Sequence, residues 1–166
     1  MQLKQNIIDV MIEIPLNSSI KYEFDSNLNT MRCDRVLSTS MKYPGNYGFI
    51  PKTLSGDGDP LDVLLICDFP ILPGVLISSK IIGVLLTTDE KGNDEKIIAI
   101  PSPSVHQKSK YINDISDIDP SVLSNIKHFF THYKDNDEDK WVTVDRFESS
   151  NYAVDVFNKS VKLYRM

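Results

Sequence analysis

The first hundred residues alternate short β-rich segments with turn residues, and this pattern limits the fold more than any other feature. Residues 20–25 alternate apolar and polar side chains with the period of two that is typical of a strand. Residues 30–37 follow an Asn-rich turn, so the two segments predict a hairpin. Residues 61–68 and 75–89 are almost continuous apolar runs. Short strands separated by frequent Gly and Pro favour a closed β-barrel over alternating βαβ units.

Two further strands and two late helices complete the predicted elements. Strands are expected at residues 7–15, ending at Pro15, and at 95–102, after a turn at 89–94. A helix is predicted over residues 117–135, with Asp119 as its N-cap and Pro120 at the first helical position. Its core-facing stripe consists of Val122, Ile126, Phe129, Phe130 and Tyr133. A second helix is predicted over 149–166, capped by Ser149 or Ser150, with a stripe of Tyr152, Val156, Lys159 or Ser160, and Tyr164.

Composition excludes several classes of protein. The length of 166 residues and the hydrophobic content of 41% suit one domain spanning residues 1–166. A net charge of −5 argues against nucleic acid or an anionic membrane as a partner, since both attract basic surfaces. Cys33 and Cys67 lack CxxC spacing and indicate reduced thiols of a cytoplasmic protein. Asp9 and Glu13 interrupt the N-terminal apolar stretch, so no signal peptide is expected, and no apolar run has the length of a membrane span.

Three aspartates, Asp57, Asp59 and Asp62, lie within six residues and lead directly into an apolar strand at 63–66. Such a string taken alone is most often a solvated turn. In an extended segment, however, Asp57 and Asp59 share one face, and the bend at Pro60 brings Asp62 to the same place. Carboxylates this close cannot all stay ionised beside a core without a cation.

The composition of this acidic segment also indicates which cation it binds. Leu61 and Asp62 stand where a calcium loop needs other residues, and the chain lacks the His and Cys cluster of a zinc site. Hard oxygen ligands suit Mg²⁺, with Mn²⁺ or other divalent ions as substitutes. Because Mg²⁺ binds through few carboxylates together with substrate phosphate, the segment predicts phosphoryl chemistry.

Other charged residues flank the predicted strands. Any one of them is more often on a solvent face than in a site. The acids are Glu13, Glu23, Asp89 and Asp94, and the bases are Lys21, Arg35, Lys96 and Lys134. Tyr43 and Tyr47 occur in the segment YPGNYGFIP, and Tyr133 directly precedes Lys134. Together with the three aspartates, a pocket built from these groups would carry excess negative charge, which bound metal ions would offset.

The segment DGDPLDV at 57–63 resembles the signature of the soluble family I inorganic pyrophosphatases. The likeness covers nearly the whole chain and includes, in order, IEIP, IKYEFD, DRVLSTSMKYPGNYGFIP, GVLLTTDEKGNDEKIIAIP and HFFTHYKD. It implies a mainly β fold with α, an OB-like five-stranded closed β-barrel with two flanking helices. It also implies Mg²⁺-dependent hydrolysis of pyrophosphate to two orthophosphates, and assembly as a homohexamer.

The resemblance also implies a role for each site residue. The metal ligands are Asp57, Asp62 and Asp94 for the first ion, Asp62 also for a second, Asp89 and Asp94 for ions arriving with substrate, and Glu13 for a further one. Asp59 is the base that deprotonates the attacking water. The phosphate oxygens are bound by Lys21, Arg35, Tyr47, Lys96, Tyr133 and Lys134. Glu23 and Tyr43 support the pocket from behind.

Two other functions compete with this one. An OB module that binds nucleic acid is disfavoured by the acidic candidate groove. A metal-dependent phosphohydrolase acting on nucleotides would use similar residues. His128 and His132 share a helix face but lack a zinc-protease motif, so we expect a structural role. A place at a subunit contact would loosen the assembly when the pair is protonated near pH 6.

Overall fold

The structure is a computed structural model that describes residues 6–166, and this part of the chain contains eight strands and two α-helices. The strands are β1 (Ile7–Ile14), β2 (Ile20–Asp25), β3 (Thr30–Val36), β4 (Asn46–Phe49), β5 (Asp62–Leu65), β6 (Leu76–Asp89), β7 (Gly92–Pro101) and β8 (Val142–Ser149). The helices are α1 (Pro120–His132) and α2 (Ser150–Arg165). Short 3₁₀ turns cover Gln107–Tyr111 and Ile115–Asp117.

Five of the strands close into a ring. The sheet runs in the order β1-β4-β5-β7-β6, and β6 pairs back onto β1, with Ile7 opposite Lys80 and Met11 opposite Leu76. The pair β5–β7 is parallel, whereas the other pairs of the ring are antiparallel. Strand β8 extends the sheet beside β6, outside the ring. The expected closed five-stranded architecture is confirmed.

Strands β2 and β3 form the separate hairpin that the sequence predicts. They pair antiparallel, and Lys21 lies opposite Arg35. Asn29 in the turn adopts a positive φ of 51°, a conformation that Asn tolerates better than most residues. The hairpin therefore places two basic side chains next to each other at its open end.

The predictions missed β4 and β8. Strand β4 consists of only four residues and its segment is rich in Gly, Pro and Asn, which is typical of a loop. Its pairing depends on Gly48, because a Cβ there would lie 1.8 Å from the carbonyl oxygen of Met11 on β1. The missing side chain lets the two backbones approach closely enough to close the ring.

Helix α1 packs against the ring as predicted. The Asp119 carboxylate accepts a hydrogen bond from the Ser121 amide at 2.8 Å, and Pro120 occupies the first turn. The stripe of Ile126, Phe129, Phe130 and Tyr133 is buried, and Val122 is partly buried against the same cluster. In the described chain no helix is both long enough and apolar enough to cross a membrane.

The predicted core face of α2 was partly wrong. Ser149 caps the helix by accepting from the Tyr152 amide at 3.4 Å, as expected. Tyr152 and Tyr164 are exposed, however, and the buried positions are Ser150, Ala153 and Ser160. Small side chains occupy the fully buried positions because the helix lies close to β6 and β8, and Phe157 packs partly buried against the core.

Candidate active site

The loop at 50–61 joins β4 to β5 and carries the first two aspartates. The Ser55 amide donates to the Asp59 carbonyl at 2.7 Å, and Gly58 has a φ of +88°. The Asp59 amide donates to Asp57 Oδ1 at 3.0 Å. The segment is thus a tight turn and not the extended stretch expected from the sequence. Asp57 is partly buried and Asp59 is exposed.

Lys96 lies at the centre of the charged side chains. Its ammonium Nζ is 3.2 Å from Asp62 Oδ2 and 3.0 Å from Asp94 Oδ2, and it donates to the Tyr47 hydroxyl at 2.8 Å. The Lys96 side chain is only 2% exposed. The parallel register of β5 and β7 sets Asp62 directly opposite Lys96, and Asp94 lies two residues before Lys96 on the same face of β7.

Burial and the neighbouring opposite charges shift the pKa values of Asp62, Asp94 and Lys96 in opposite directions. Burial raises the pKa of Asp62 to about 6, although the neighbouring Lys96 ammonium favours the ionised carboxylate. Burial also acts to raise the pKa of Asp94, but Lys96 outweighs it and holds that pKa below its usual value. The pKa of Lys96 itself lies well above normal, because its anionic and phenolic neighbours outweigh its desolvation. Asp57 has a raised pKa owing to burial and to the charges of Asp94 and Asp59.

Lys96 supplies a cation to one of the three crowded aspartates, Asp62, and also to Asp94 on β7. As the side chains stand between residues 6 and 166, no three His, Cys, Asp or Glu residues converge closely enough to hold a metal ion. Asp62 and Asp94 instead contact a single ammonium group. Asp57, Asp62 and Asp94 all offer carboxylate oxygens, the type of ligand that Mg²⁺ prefers.

The β6–β7 turn provides a second group of charges. Asp89 is buried at the end of β6, and its Oδ1 accepts from the Lys91 amide at 2.9 Å. Lys134, just beyond α1, places Nζ 3.6 Å from Asp89 Oδ2 and 3.8 Å from Glu90 Oε1. Burial lowers the pKa of Lys134 despite these two acids. The sequence analysis did not identify Glu90, although it directly follows Asp89.

Glu13 lies near the end of β1 and faces the β2–β3 hairpin. Its Oε2 accepts from the Phe24 amide at 2.8 Å. Burial raises the pKa of Glu13 to about 7, and the charges of Asp62 and Glu23 act in the same direction. Glu23 itself is exposed on β2. The ionised form of Glu13 therefore lacks sufficient positive charge around it.

The two cations of the hairpin have acidic partners that the sequence analysis missed. Lys21 Nζ is 3.3 Å from Asp34 Oδ2, and Arg35 Nη1 is 3.5 Å from Asp137 Oδ2. The Nε atom of Arg35 is buried without a hydrogen-bond partner among the described residues. Asp34 could have been noticed as the neighbour of Arg35, whereas no sequence signal connects Asp137 to a strand about a hundred residues away.

Three tyrosines form an aromatic wall behind these charges. Tyr43 packs against Tyr47 and Phe129, with ring centroids 5.5 Å and 4.6 Å apart, and Tyr133 stacks on Phe129 at 5.1 Å. Burial raises the pKa of Tyr133 to about 12 and holds the pKa values of Tyr43 and Tyr47 well above the usual value of a tyrosine. All three phenols therefore remain protonated and can donate hydrogen bonds at neutral pH.

The fold and the charged side chains together indicate the class of protein to which the chain belongs. A closed, OB-like ring of five strands carries the phenol of Tyr47 on β4, the carboxylate of Asp62 on β5, and both Asp94 and Lys96 on β7, an arrangement typical of an enzyme that handles phosphate. The sequence model of a family described as inorganic pyrophosphatase matches residues 10–165.

Known proteins similar to this chain agree with that match. It is 46% identical over 157 residues to the inorganic pyrophosphatase of Rickettsia typhi, covering 94% of this chain and 88% of the relative. It is 43% identical over 155 residues to that of Saccharolobus solfataricus, covering 93% and 90%. The solved inorganic pyrophosphatase of Helicobacter pylori aligns with a TM-score of 0.95 at 40% identity, over 100% of this chain and 99% of that chain.

The chain therefore belongs to the inorganic pyrophosphatase family, and the prediction that it is an enzyme of this family is confirmed. The family depends on divalent metal ions.

Proposed function

We propose that this chain hydrolyses inorganic pyrophosphate to two orthophosphates with the help of Mg²⁺. The observation that carries the proposal is the buried Lys96 ammonium held between Asp62 and Asp94 and bonded to Tyr47. A buried cation among oxygen ligands, with further acids and bases close by, suits a substrate that is both anionic and metal-bound. Family membership supports the same reaction.

The proposed Mg²⁺ ligands are Asp57, Asp62, Asp94, Asp89 and Glu13. All of them offer carboxylate oxygens, and the raised pKa values of Glu13, Asp57 and Asp62 indicate that their ionised forms need more positive charge than the protein supplies. Bound Mg²⁺ would provide that charge, neutralise phosphate and make a water molecule easier to deprotonate.

Asp59 is the proposed general base. Among the described residues no hydrogen bond or ion pair engages its carboxylate, whereas its amide is fixed by Asp57. The carboxylate is therefore free to accept the proton of the attacking water. As the water oxygen bonds to one phosphorus, the bridging bond from that phosphorus to oxygen breaks, and the second phosphate leaves with the electron pair.

The proposed phosphate-binding side chains are Lys21, Arg35, Tyr47, Lys96, Tyr133 and Lys134. The Nε atom of Arg35 supports this role, because it makes no hydrogen bond among the described residues although Asp34 Oδ2 lies 3.8 Å away, and buried donors in folded proteins are almost always paired. A phosphate oxygen would supply the missing acceptor. Glu23 and Tyr43 are proposed as supports, and the packing of Tyr43 against Tyr47 agrees with this.

Phosphate release from pyrophosphate, measured with and without Mg²⁺, tests the proposal directly. We expect release only with the metal, with Mn²⁺ as a substitute of different efficiency. A nucleoside triphosphate with Mg²⁺ is the comparison substrate, and faster release from it would favour the nucleotide hydrolase instead. We propose no nucleic-acid or membrane partner, and a retarded band in a gel-shift assay at moderate salt would contradict the first of these.

We further propose that residues 1–166 form a single domain of a cytoplasmic homohexamer. The two cysteines are both free, which suits a reducing compartment. The rings of His128 and His132 lie 4.7 Å apart on α1, and protonating both would place two like charges close together. Sedimentation velocity at pH 8 and 5.5 tests the assembly, and equal masses at both values would argue against the histidine contact.

A further inference from the structure

A buried hydroxyl closes the loop that carries the aspartates. Thr53 is 2% exposed, and its Oγ1 donates to the Ile50 carbonyl at 2.5 Å. The same oxygen accepts from the Leu61 amide at 3.0 Å. The Ile50 amide in turn donates to the Leu61 carbonyl at 3.0 Å. One side chain thus joins the first residue of the loop to its last.

These bonds lie between the strands and the reacting groups. The regular ladder of β4 and β5 ends where Phe49 pairs with Asp62. Leu61, which bonds to Thr53, directly precedes Asp62 in the chain. The Thr53 hydroxyl is therefore hydrogen-bonded to the residue that directly precedes a proposed metal ligand.

The other side of Thr53 leads to the turn of Asp57 and Asp59. The next amide, that of Leu54, donates to the Ser160 carbonyl of α2 at 3.0 Å. The following amide, that of Ser55, donates to the Asp59 carbonyl at 2.7 Å. Thr53, Leu54 and Ser55 thus bond in turn to the strand end, to helix α2 and to the turn that carries Asp59.

Packing alone would favour an apolar side chain at position 53. Leu61 beside it is 1% exposed, and Ile50 is 3% exposed, so the surroundings are apolar. Valine has almost the same shape and no polar group to desolvate. The hydroxyl fixes the backbone at both ends of the loop, since without it a buried amide and a carbonyl would each lose a partner.

We propose that Thr53 is a positioning residue that sets the separation of Asp57 and Asp62 for metal binding. The proposal rests on the proposed function, in which both aspartates are metal ligands. Residues that orient metal ligands typically matter 10- to 100-fold for metal affinity or activity, and small displacements of reacting groups lower rates strongly.

The test compares Thr53→Val, which removes the hydroxyl, with Thr53→Ser, which keeps it. Thr131→Val is the matched control, because among the described residues the Thr131 hydroxyl bonds only to the Lys127 carbonyl of its own helix. Ile126→Val is a second control that weakens the core on α1, away from the loop. Calorimetric Mg²⁺ titration, amide hydrogen exchange in metal-free protein and pyrophosphate hydrolysis are measured for each.

We expect Thr53→Val to weaken Mg²⁺ binding by about tenfold or more and Thr53→Ser to remain within about threefold of the parent. In metal-free Thr53→Val the amides of Leu61 and Asp59 should exchange faster, whereas those of α1 should not. Neither control should change Mg²⁺ affinity. Turnover measured at saturating Mg²⁺ should recover only partly in Thr53→Val, because the turn that holds Asp59 stays loosened.

Unchanged exchange and unchanged Mg²⁺ affinity in Thr53→Val would overturn the proposal. So would an equal loss in Thr53→Ser, or a loss of similar size in Ile126→Val, which would trace the effect to general stability. If the parent chain released no phosphate from pyrophosphate, the proposed function would fail. The exchange rates and Mg²⁺ titration would still decide the role of Thr53.

Discussion

Glu13→Gln should stabilise the metal-free protein at alkaline pH, and the size of the effect follows from the environment of Glu13. The folded protein raises the pKa of Glu13 from 4.5 to about 7, chiefly by burial. One pKa unit corresponds to about 1.4 kcal/mol, so ionised Glu13 costs the fold about 3 kcal/mol, or about 2 kcal/mol after allowance for its partial exposure. Glutamine removes this cost and can still accept from the Phe24 amide.

The size of this gain in stability depends on pH. Because the folded pKa is raised, the folded state binds the Glu13 proton more tightly, and this favours folding fully below pH 4.5. That contribution is lost as the pH rises through about 7. Relative to the parent, Glu13→Gln should therefore gain about 2 kcal/mol at pH 8 and less than about 1 kcal/mol at pH 5.

Urea unfolding in the presence of a chelator, at both pH values, measures this difference. Glu23→Gln is the matched control, since Glu23 is exposed on the neighbouring hairpin and its change should stay within about 0.5 kcal/mol. Saturating Mg²⁺ should reduce or reverse the gain at pH 8, because the parent then binds the ion better than the variant. A gain of equal size at both pH values, or a loss at pH 8, would refute the reasoning.

Four other substitutions have defined outcomes. Asp59→Asn should keep Mg²⁺ binding and lower turnover by about two to four orders of magnitude, and steady-state turnover within about threefold of the parent would exclude Asp59 as the base. Asp62→Ala should weaken Mg²⁺ binding by about tenfold or more in calorimetry, and an unchanged titration would remove Asp62 from the ligands. Arg35→Lys should raise KM for pyrophosphate on the order of tenfold, because lysine lacks the planar fork of donors, and an unaltered KM would contradict this. Gly48→Ala should destabilise the protein by about 3 kcal/mol in urea unfolding, because its Cβ would overlap the Met11 carbonyl, and a midpoint like the parent's would count against it.

Local sequence patterns were sufficient for the elements whose partners are close in sequence. The β2–β3 hairpin and α1 were predicted because alternation, an Asn-rich turn and a capped helical stripe are local signals. Strand β4 has no such signal, since its four residues become a strand only through β1 and β5 on either side. Strand β8 does alternate apolar and polar residues at 142–145, and this could have revealed it.

The candidate site shows the same division between local and distant information. The spacing of the acids indicated a cation site, and the resemblance assigned roles to its members. Spacing could not show that Lys96 lies between Asp62 and Asp94, because that contact depends on the parallel register of two strands about thirty residues apart. Only the three-dimensional structure shows that Asp137 pairs with Arg35 and that Glu90 pairs with Lys134.

The parallel pairing of β5 with β7 has a consequence for folding errors. A slip of one residue would set Asp62 opposite Glu95 or Ile97 instead of Lys96, and would turn its carboxylate to the face where Val63 and Leu65 pack in the core. The misaligned chain would lose its charge partner and bury an unpaired carboxylate. Stable molecules with this strand misaligned should therefore not accumulate. All protease-resistant molecules in a preparation should have the correct register of β5 and β7.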